Sequence, residues 1–226
     1  MRYLSGVVYN PVLRWEHGGL MLTPEMGNCP ELDGVCWGAD NGCYTAAERF
    51  SVERWLSFLE KWQGKGRCLF AVAPDVPFDM AATWERSKPF LPVIRELGYP
   101  AALAIQNGVD VHALDWDTFD AVFIAGTKAF KTGGDAYEVI RAAKRRGIFV
   151  HMARRNSYKA VQEAFDLGAD SCDGTFLRFS PDFNWPRMQV WFDKLCLHTS
   201  VAYFGNDRRF GRCHVCHRPV RCEEAS

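Results

Sequence analysis

At 226 residues with 48% hydrophobic content, the chain can bury a full core and is most simply one domain with an appendage. Lys plus Arg and Asp plus Glu each number 27, so the formal charge is zero and no global basic excess advertises nucleic acid, although a neutral total leaves room for a local patch. No apolar stretch approaches the roughly 20 residues of a membrane span and the opening MRYLSGVVYNP lacks the charged start and long apolar segment expected of a signal peptide, so a cytosolic protein is expected, its nine cysteines serving as thiols or metal ligands.

In chain order, the first strand is predicted within residues 3–9, ended by Asn10-Pro11. A Gly- and Pro-rich loop from His17 to Asp33 leads to the next strand near residues 35–38, and loops this long inside a compact domain are usually functional or mobile. Ser51 caps a helix through Lys61 whose apolar face is Trp55, Leu56, Phe58, Leu59 and Trp62. A strand over 68–73 runs into Pro74-Asp75, and a helical pattern over 80–97 carries Pro89 and Pro92, which should kink or split it. Strands over 101–105 and 121–125, a helix over 136–146, a strand over 148–151, a helix over 157–167 and a strand over 170–172 complete the alternation.

That makes about seven strands in a β/α alternation, which calls for a parallel sheet. The expected fold is α/β: a compact, TIM-barrel-like (β/α)8 domain over residues 1–197, with a small C-terminal zinc-binding element over 198–226. A complete barrel typically takes about 250 residues, so this one is expected to be pared down or incomplete. The apolar runs end one after another in residues able to do chemistry: Asp40, Asp75, Gln106, Gly126 with Lys128, Arg154 and Asp173. In a barrel the strand C-termini converge on one mouth, which makes these residues a candidate site.

The tail changes character. From Arg208 onward the apolar periodicity gives way to RRFGRCHVCHRPVRCEEAS. The C-x2-C pair of Cys213 and Cys216, with Cys222, suits a structural Zn2+ ion that would supply the folding energy of a segment too small for its own core. His198 is the first choice of fourth ligand, with His214, His217 and Cys196 as rivals. The alternative is a tail with reactive thiols and no metal.

An Asp at a strand end is often only the N-cap of the next helix. Three around one mouth invite another reading, because mutually repelling carboxylates raise one another's pKa, an arrangement tolerated mainly where chemistry uses it. Carboxylate pairs serve cleavage at a glycosidic carbon, one as nucleophile and the other handling the leaving group's proton. Gln106 and the backbone at Gly126 add amide groups suited to a purine edge. His151 stands alone and reads as a packed core histidine, as Trp185, Trp191 and the other aromatics read as core, with stacking of one of them on a displaced base as the alternative.

The stretches GADNGCY, FAVAPDVP, LAIQNG, FIAGTK and GADSCDGTF, in this order, resemble the tRNA-guanine transglycosylase superfamily. More closely, APDVPFDMAATWERSKPFLPVIRELGYPAALAIQNG and HMARRNS followed by GADSCDGTF resemble the small phage and bacterial members that insert 7-deazaguanines into DNA. The resemblance covers roughly residues 34–180 and implies a DNA-guanine transglycosylase, a pentosyltransferase that replaces guanine with a base such as 7-cyano-7-deazaguanine. It implies that Asp173 is the nucleophile at C1′, Asp40 the acid/base group, Asp75 the reader of the Watson–Crick edge, and that Gln106 and Gly126 surround the purine O6. If the gene is phage-borne, the place of work is the host cytoplasm. The family's usual turn at the early acid is Asp-Ser-Gly-Gly-Phe, whereas this chain has Asp40-Asn41-Gly42-Cys43-Tyr44, and the tail cysteines depart from the usual C-x-C-x2-C and distant His.

A nucleic-acid partner requires phosphate contacts. Lys128, Lys131, Arg154, Arg155, Arg208, Arg209 and Arg212 are the candidates, Arg154 favoured because it ends a strand at the expected mouth and Lys131 and Arg155 read equally well as solvated surface, while the run at 144–146 ends a helix and complements its dipole. tRNA is the alternative substrate to DNA. From another class, the chain could be a non-catalytic nucleic-acid-binding module, although a pure binder gains nothing from acids facing phosphates. A metal-dependent hydrolase is disfavoured because no strand-end His pair accompanies the acids.

Overall fold

A computed structural model describes residues 1–26, 31–44 and 50–203, with side chains described through Leu195. Eight parallel strands close into a barrel in sequence order: β1 Arg2–Ser5, β2 Gly18–Leu22, β3 Cys36–Ala39, β4 Arg67–Val72, β5 Ala101–Ile105, β6 Ala121–Ile124, β7 Phe149–Met152 and β8 Ser171–Gly174. Around them lie α1 Asn10–Leu13, α2 Val52–Trp62, α3 Met80–Ser87, α4 Phe90–Glu96, α5 Lys128–Lys131, α6 Gly134–Arg145, α7 Tyr158–Asp166 and α8 Pro181–Tyr203. The fold is therefore a TIM-like barrel, closed by the pairing of β8 with β1, where Leu4 stands level with Asp173.

The barrel is complete because a strand lies where a loop is expected. Gly18–Leu22 falls inside the Gly- and Pro-rich stretch read as a loop from His17, and all five of its residues are buried between β1 and β3. The first strand stops at Ser5, earlier than predicted, and Asn10-Pro11 opens α1 rather than merely ending a strand. Pro89 and Pro92 divide the long helical pattern into α3 and α4: Pro89 is the N-cap of α4, and Pro92 sits in its first turn, where no intrahelical N–H is required.

Two apolar layers hold the barrel. The outer layer, between strands and helices, contains Trp37, Trp55, Leu59, Leu103, Ile124, Val139, Ile140 and Val150. The inner layer is small and uneven: Leu4, Met21, Phe70, Val72, Phe123 and Ala153 among alanines. Gly38 makes room for it, since a Cβ there would lie 2.6 Å from Cζ of Phe70. Phe70 and Phe123 fill the middle of the barrel with ring centroids 6.0 Å apart, and His151 completes the cluster. This aromatic plug forms the floor beneath the strand C-termini.

The helices after β3 and β4 are capped by Ser51 and Asp79, whose side chains accept from the backbone N–H groups of Arg54 and Ala82. Asp40 and Asp75 are thus not helix caps, and Asp173 lies within β8 itself. Among the described residues no helix is long and apolar enough to cross a membrane.

Candidate active site

The site is built from residues at the C-terminal ends of the strands. Asp40 comes directly after β3, and its Oδ1 accepts the Gly42 N–H at 3.1 Å, folding the chain into a tight turn that Gly42 completes at φ +79°. A Cβ at Gly42 would lie 2.8 Å from Oε2 of Glu25, so only glycine lets that carboxylate approach. Burial lifts the Asp40 carboxyl from the ordinary range to about 6; the Gly42 N–H opposes this, and the negative charges of Asp173, Asp75 and Glu25 add to it. Burial is thus the main cause of the rise, and the neighbouring acids add to it at Asp40.

Asp75 follows β4 and is held on both oxygens. Its Oδ1 accepts from Asn41 Nδ2 at 3.0 Å and its Oδ2 from Gln106 Nε2 at 2.6 Å. Burial pushes its carboxyl upward too, against the stabilising amides and the charge of Arg86. Gln106, directly after β5, spends its other end on the backbone N–H of Phe78, so both ends of its amide already serve the protein. Gly126 follows β6 at φ +72°, and a Cβ there would collide with Phe130 and Asn107.

Asp173 occupies an inward position on β8. Its Oδ1 accepts from the backbone N–H of Arg154 at 2.9 Å and lies 3.0 Å from Nε2 of His151, whose Nδ1 is 2.8 Å from Oγ of Ser171. The Arg154 backbone sits at φ +57°, a conformation that turns its N–H onto Asp173 and its guanidinium onto the ring of Tyr44, 4.0 Å away. Tyr44 packs edge-on against Phe78, with ring centroids 5.9 Å apart, and the two are 52% and 45% exposed. An aromatic pair with a guanidinium on one face therefore rims the mouth.

The expected residues sort into three groups. Asp40, Asp75, Gln106, Gly126, Arg154 and Asp173 gather at one end of the barrel; Lys128 is exposed at the start of α5 on the same side. Lys131 and Arg155 leave the set of free phosphate ligands. Lys131 is 4% exposed and donates to the carbonyl of Ala153, with burial lowering its pKa to about 8, and Arg155 is buried in an ion pair with Glu163. Cys213, Cys216, Cys222, His214, His217, Arg208, Arg209 and Arg212 lie outside the described residues, and His198 lies on α8 beyond the last described side chain.

Three participants are not singled out by sequence reasoning. Asn41 is read there only as part of a turn, yet it anchors Asp75; Ser171 is passed over; and His151, expected as a solitary core residue, is buried but bonded to Asp173. The signal for His151 is a polar residue at the inward position of β7, between the outward Val150 and Met152. Trp185 and Trp191 pack as expected, on Trp15 and Phe176. Compared with known proteins, the chain matches no protein-family model and no curated protein sequence.

Proposed function

We propose that this chain is a base-exchange transglycosylase that replaces guanine in DNA with a 7-deazaguanine, through a covalent ester on Asp173. The observation that carries the reading is the asymmetric dressing of Asp173. Its Oδ1 faces two hydrogen-bonding groups, at the mouth shared with Asp40 and Asp75. A carboxylate fixed on one oxygen at an open barrel mouth suits in-line attack on an anomeric carbon.

In the first half, an Asp173 oxygen forms a bond to C1′ while the C1′–N9 bond breaks. The electron pair leaves with guanine, which takes the proton of the Asp40 carboxyl. In the second half, the Asp40 carboxylate removes the N9 proton of the incoming deazaguanine, and N9 displaces the Asp173 carboxylate from C1′. The proton returns to Asp40, so the cycle closes without a redox partner. A carboxyl poised at about 6 can serve both directions near neutral pH.

The buried carboxylate of Asp75, fixed by Asn41 and Gln106, supplies acceptors for the N1–H and exocyclic amine of a guanine-like base. Gln106 then acts on the base mainly through Asp75. Tyr44 and Phe78 offer faces for a base taken out of its stack, a displacement that costs a few kcal/mol. Lys128 and Arg154 are the cations available for flanking phosphates. The tail cysteines Cys213, Cys216 and Cys222, with His198, would hold a structural Zn2+; metal analysis of the purified full chain is expected to give about one zinc per chain, lost in Cys213→Ser.

The test is incubation with guanine-containing DNA and, separately, tRNA, each with labelled 7-cyano-7-deazaguanine, followed by mass spectrometry of the nucleosides. Label in deoxynucleoside, absent with Asp173→Ala, supports the reading. Label only in ribonucleoside moves the protein to tRNA. Incorporation into neither, from folded and zinc-replete protein, leaves a nucleic-acid-binding module as the better account.

A further inference from the structure

We infer that His151 and Ser171 form a positioning relay that ties down Oδ1 of Asp173 and thereby presents Oδ2 to the substrate. The inference rests on the proposed reaction for its catalytic consequence, and on geometry alone for the arrangement itself.

Strand periodicity sets up the relay. Ser171 and Asp173 both face the barrel interior from β8, with Cys172 between them in the outer layer, and His151 stands level with Ser171 on β7. The imidazole reaches from that level up to Asp173, so its two nitrogens span two successive inward positions of the neighbouring strand. Its ring is 0% exposed, stacked on Phe123 at 4.8 Å and 16°, and tilted on Phe70 at 4.8 Å. Sandwiched in this way it cannot flip without displacing the barrel core.

Donor and acceptor logic fixes the tautomer. An ionised Asp173 carboxylate only accepts, so Nε2 must carry the proton that it donates to Oδ1. In a neutral ring Nδ1 is then an acceptor, and the Ser171 hydroxyl is the group that donates to it. Oδ1 therefore receives two N–H groups, from His151 and from the Arg154 backbone. A carboxylate so anchored keeps Oδ2 as its more nucleophilic oxygen. When Oδ2 bonds to C1′, Oδ1 becomes the carbonyl oxygen of the ester and retains both donors. When the ester is displaced, the same donors stabilise the charge returning to the carboxylate. Being sealed from solvent, His151 touches no substrate and exchanges no proton with it. It acts through Asp173, as a positioning residue.

Two measurements test the relay. In protein labelled with ¹⁵N-histidine, the His151 resonances are expected to show a protonated Nε2 and an unprotonated Nδ1 in wild type, the same tautomer with a shifted Nδ1 in Ser171→Ala, and a mixture of tautomers in Asp173→Ala. A protonated Nδ1 in the wild type overturns the inference, whatever the protein catalyses. In single-turnover base exchange, His151→Leu is expected to slow the chemical step on the order of 100-fold, with DNA affinity unchanged. His151→Gln, whose side-chain amide can donate in place of Nε2–H, is expected to recover about tenfold of that loss. Equal rates for the Leu and Gln variants, both folded, would also overturn it. If the wild type has the expected tautomer but exchanges no base, the relay stands and the functional reading falls.

Discussion

Asn41 holds Asp75: its side-chain nitrogen donates at 3.0 Å to Oδ1 of Asp75 and at 2.7 Å to the carbonyl of Ala73, while its own oxygen accepts the Cys43 N–H. The residue following one candidate acid thus fixes the orientation of another, across neighbouring strand ends. Asn41→Ala leaves a buried carbonyl and a buried carboxylate each short of a donor, so a stability loss of about 1–3 kcal/mol is expected from denaturant unfolding. On the proposed reading, calorimetric titration with free 7-cyano-7-deazaguanine should show roughly tenfold weaker binding, because Asp75 loses one of its two anchors.

Asp40 gives a pH dependence of definite sign. Its folded carboxyl titrates near 6, above its unfolded value, so between about pH 4 and 6 the folded protein binds more protons than the unfolded chain. This contribution favours the fold at low pH and is lost as pH rises through 6. Asp40→Asn, which keeps an oxygen for the Gly42 N–H, is therefore expected to match wild-type stability near pH 4. At pH 8 it should exceed wild type by on the order of 2 kcal/mol, measured by urea unfolding at both pH values. If the proposed reaction holds, the same variant loses base exchange while gaining stability at pH 8, which separates the proposed acid/base role from the stability cost.

The acids were legible in the sequence because each closes an apolar run, and strand ends in a β/α alternation converge. The strand Gly18–Leu22 was not, because its two glycines and the Gly- and Pro-rich residues around it read as loop chemistry. Gly19 is instead required by packing: a Cβ there would lie 2.6 Å from the Cys36 carbonyl oxygen and from Cδ2 of Leu4. His151 could not be paired with Asp173 from sequence, since its place between Val150 and Met152 marks only an inward side chain, while the level at which β7 meets β8 is set by the register of the closed barrel. Arg154 is favoured over Arg155 in the sequence because it ends a strand, whereas the burial of Arg155 against Glu163 carries no local signal. Their opposite fates, one at the mouth and one against Glu163, follow from the left-handed backbone of Arg154.

That separation is measurable through salt. Lys128→Ala removes an exposed cation beside the mouth and is expected to reduce the slope of log K against log salt for DNA binding by about 1. Lys131→Met and Arg155→Met remove buried cations and should leave the slope unchanged. Arg155→Met should instead destabilise the fold by on the order of 2 kcal/mol, because Glu163 then keeps the Tyr137 hydroxyl but loses its ion-pair partner. Binding isotherms at four or five salt concentrations decide between the two behaviours; a reduced slope for Arg155→Met would mean that its guanidinium leaves Glu163 for phosphate.

Gly38 connects barrel packing to the site. An alanine Cβ at this position would stand 2.6 Å from Cζ and 2.9 Å from Cε2 of Phe70, and 3.1 Å from Cδ1 of Leu4. Phe70 cannot yield freely, because it packs on Phe123, Phe149 and His151 within the closed barrel. Overpacking of this kind costs about 1–3 kcal/mol, and that loss is expected for Gly38→Ala in thermal or urea unfolding. The displaced ring should also move the His151 resonances, since its centroid lies 4.8 Å from the imidazole. Weaker stability with unchanged His151 resonances would show that Phe70 escapes away from the histidine, and that the floor of the mouth is softer than its aromatic packing implies.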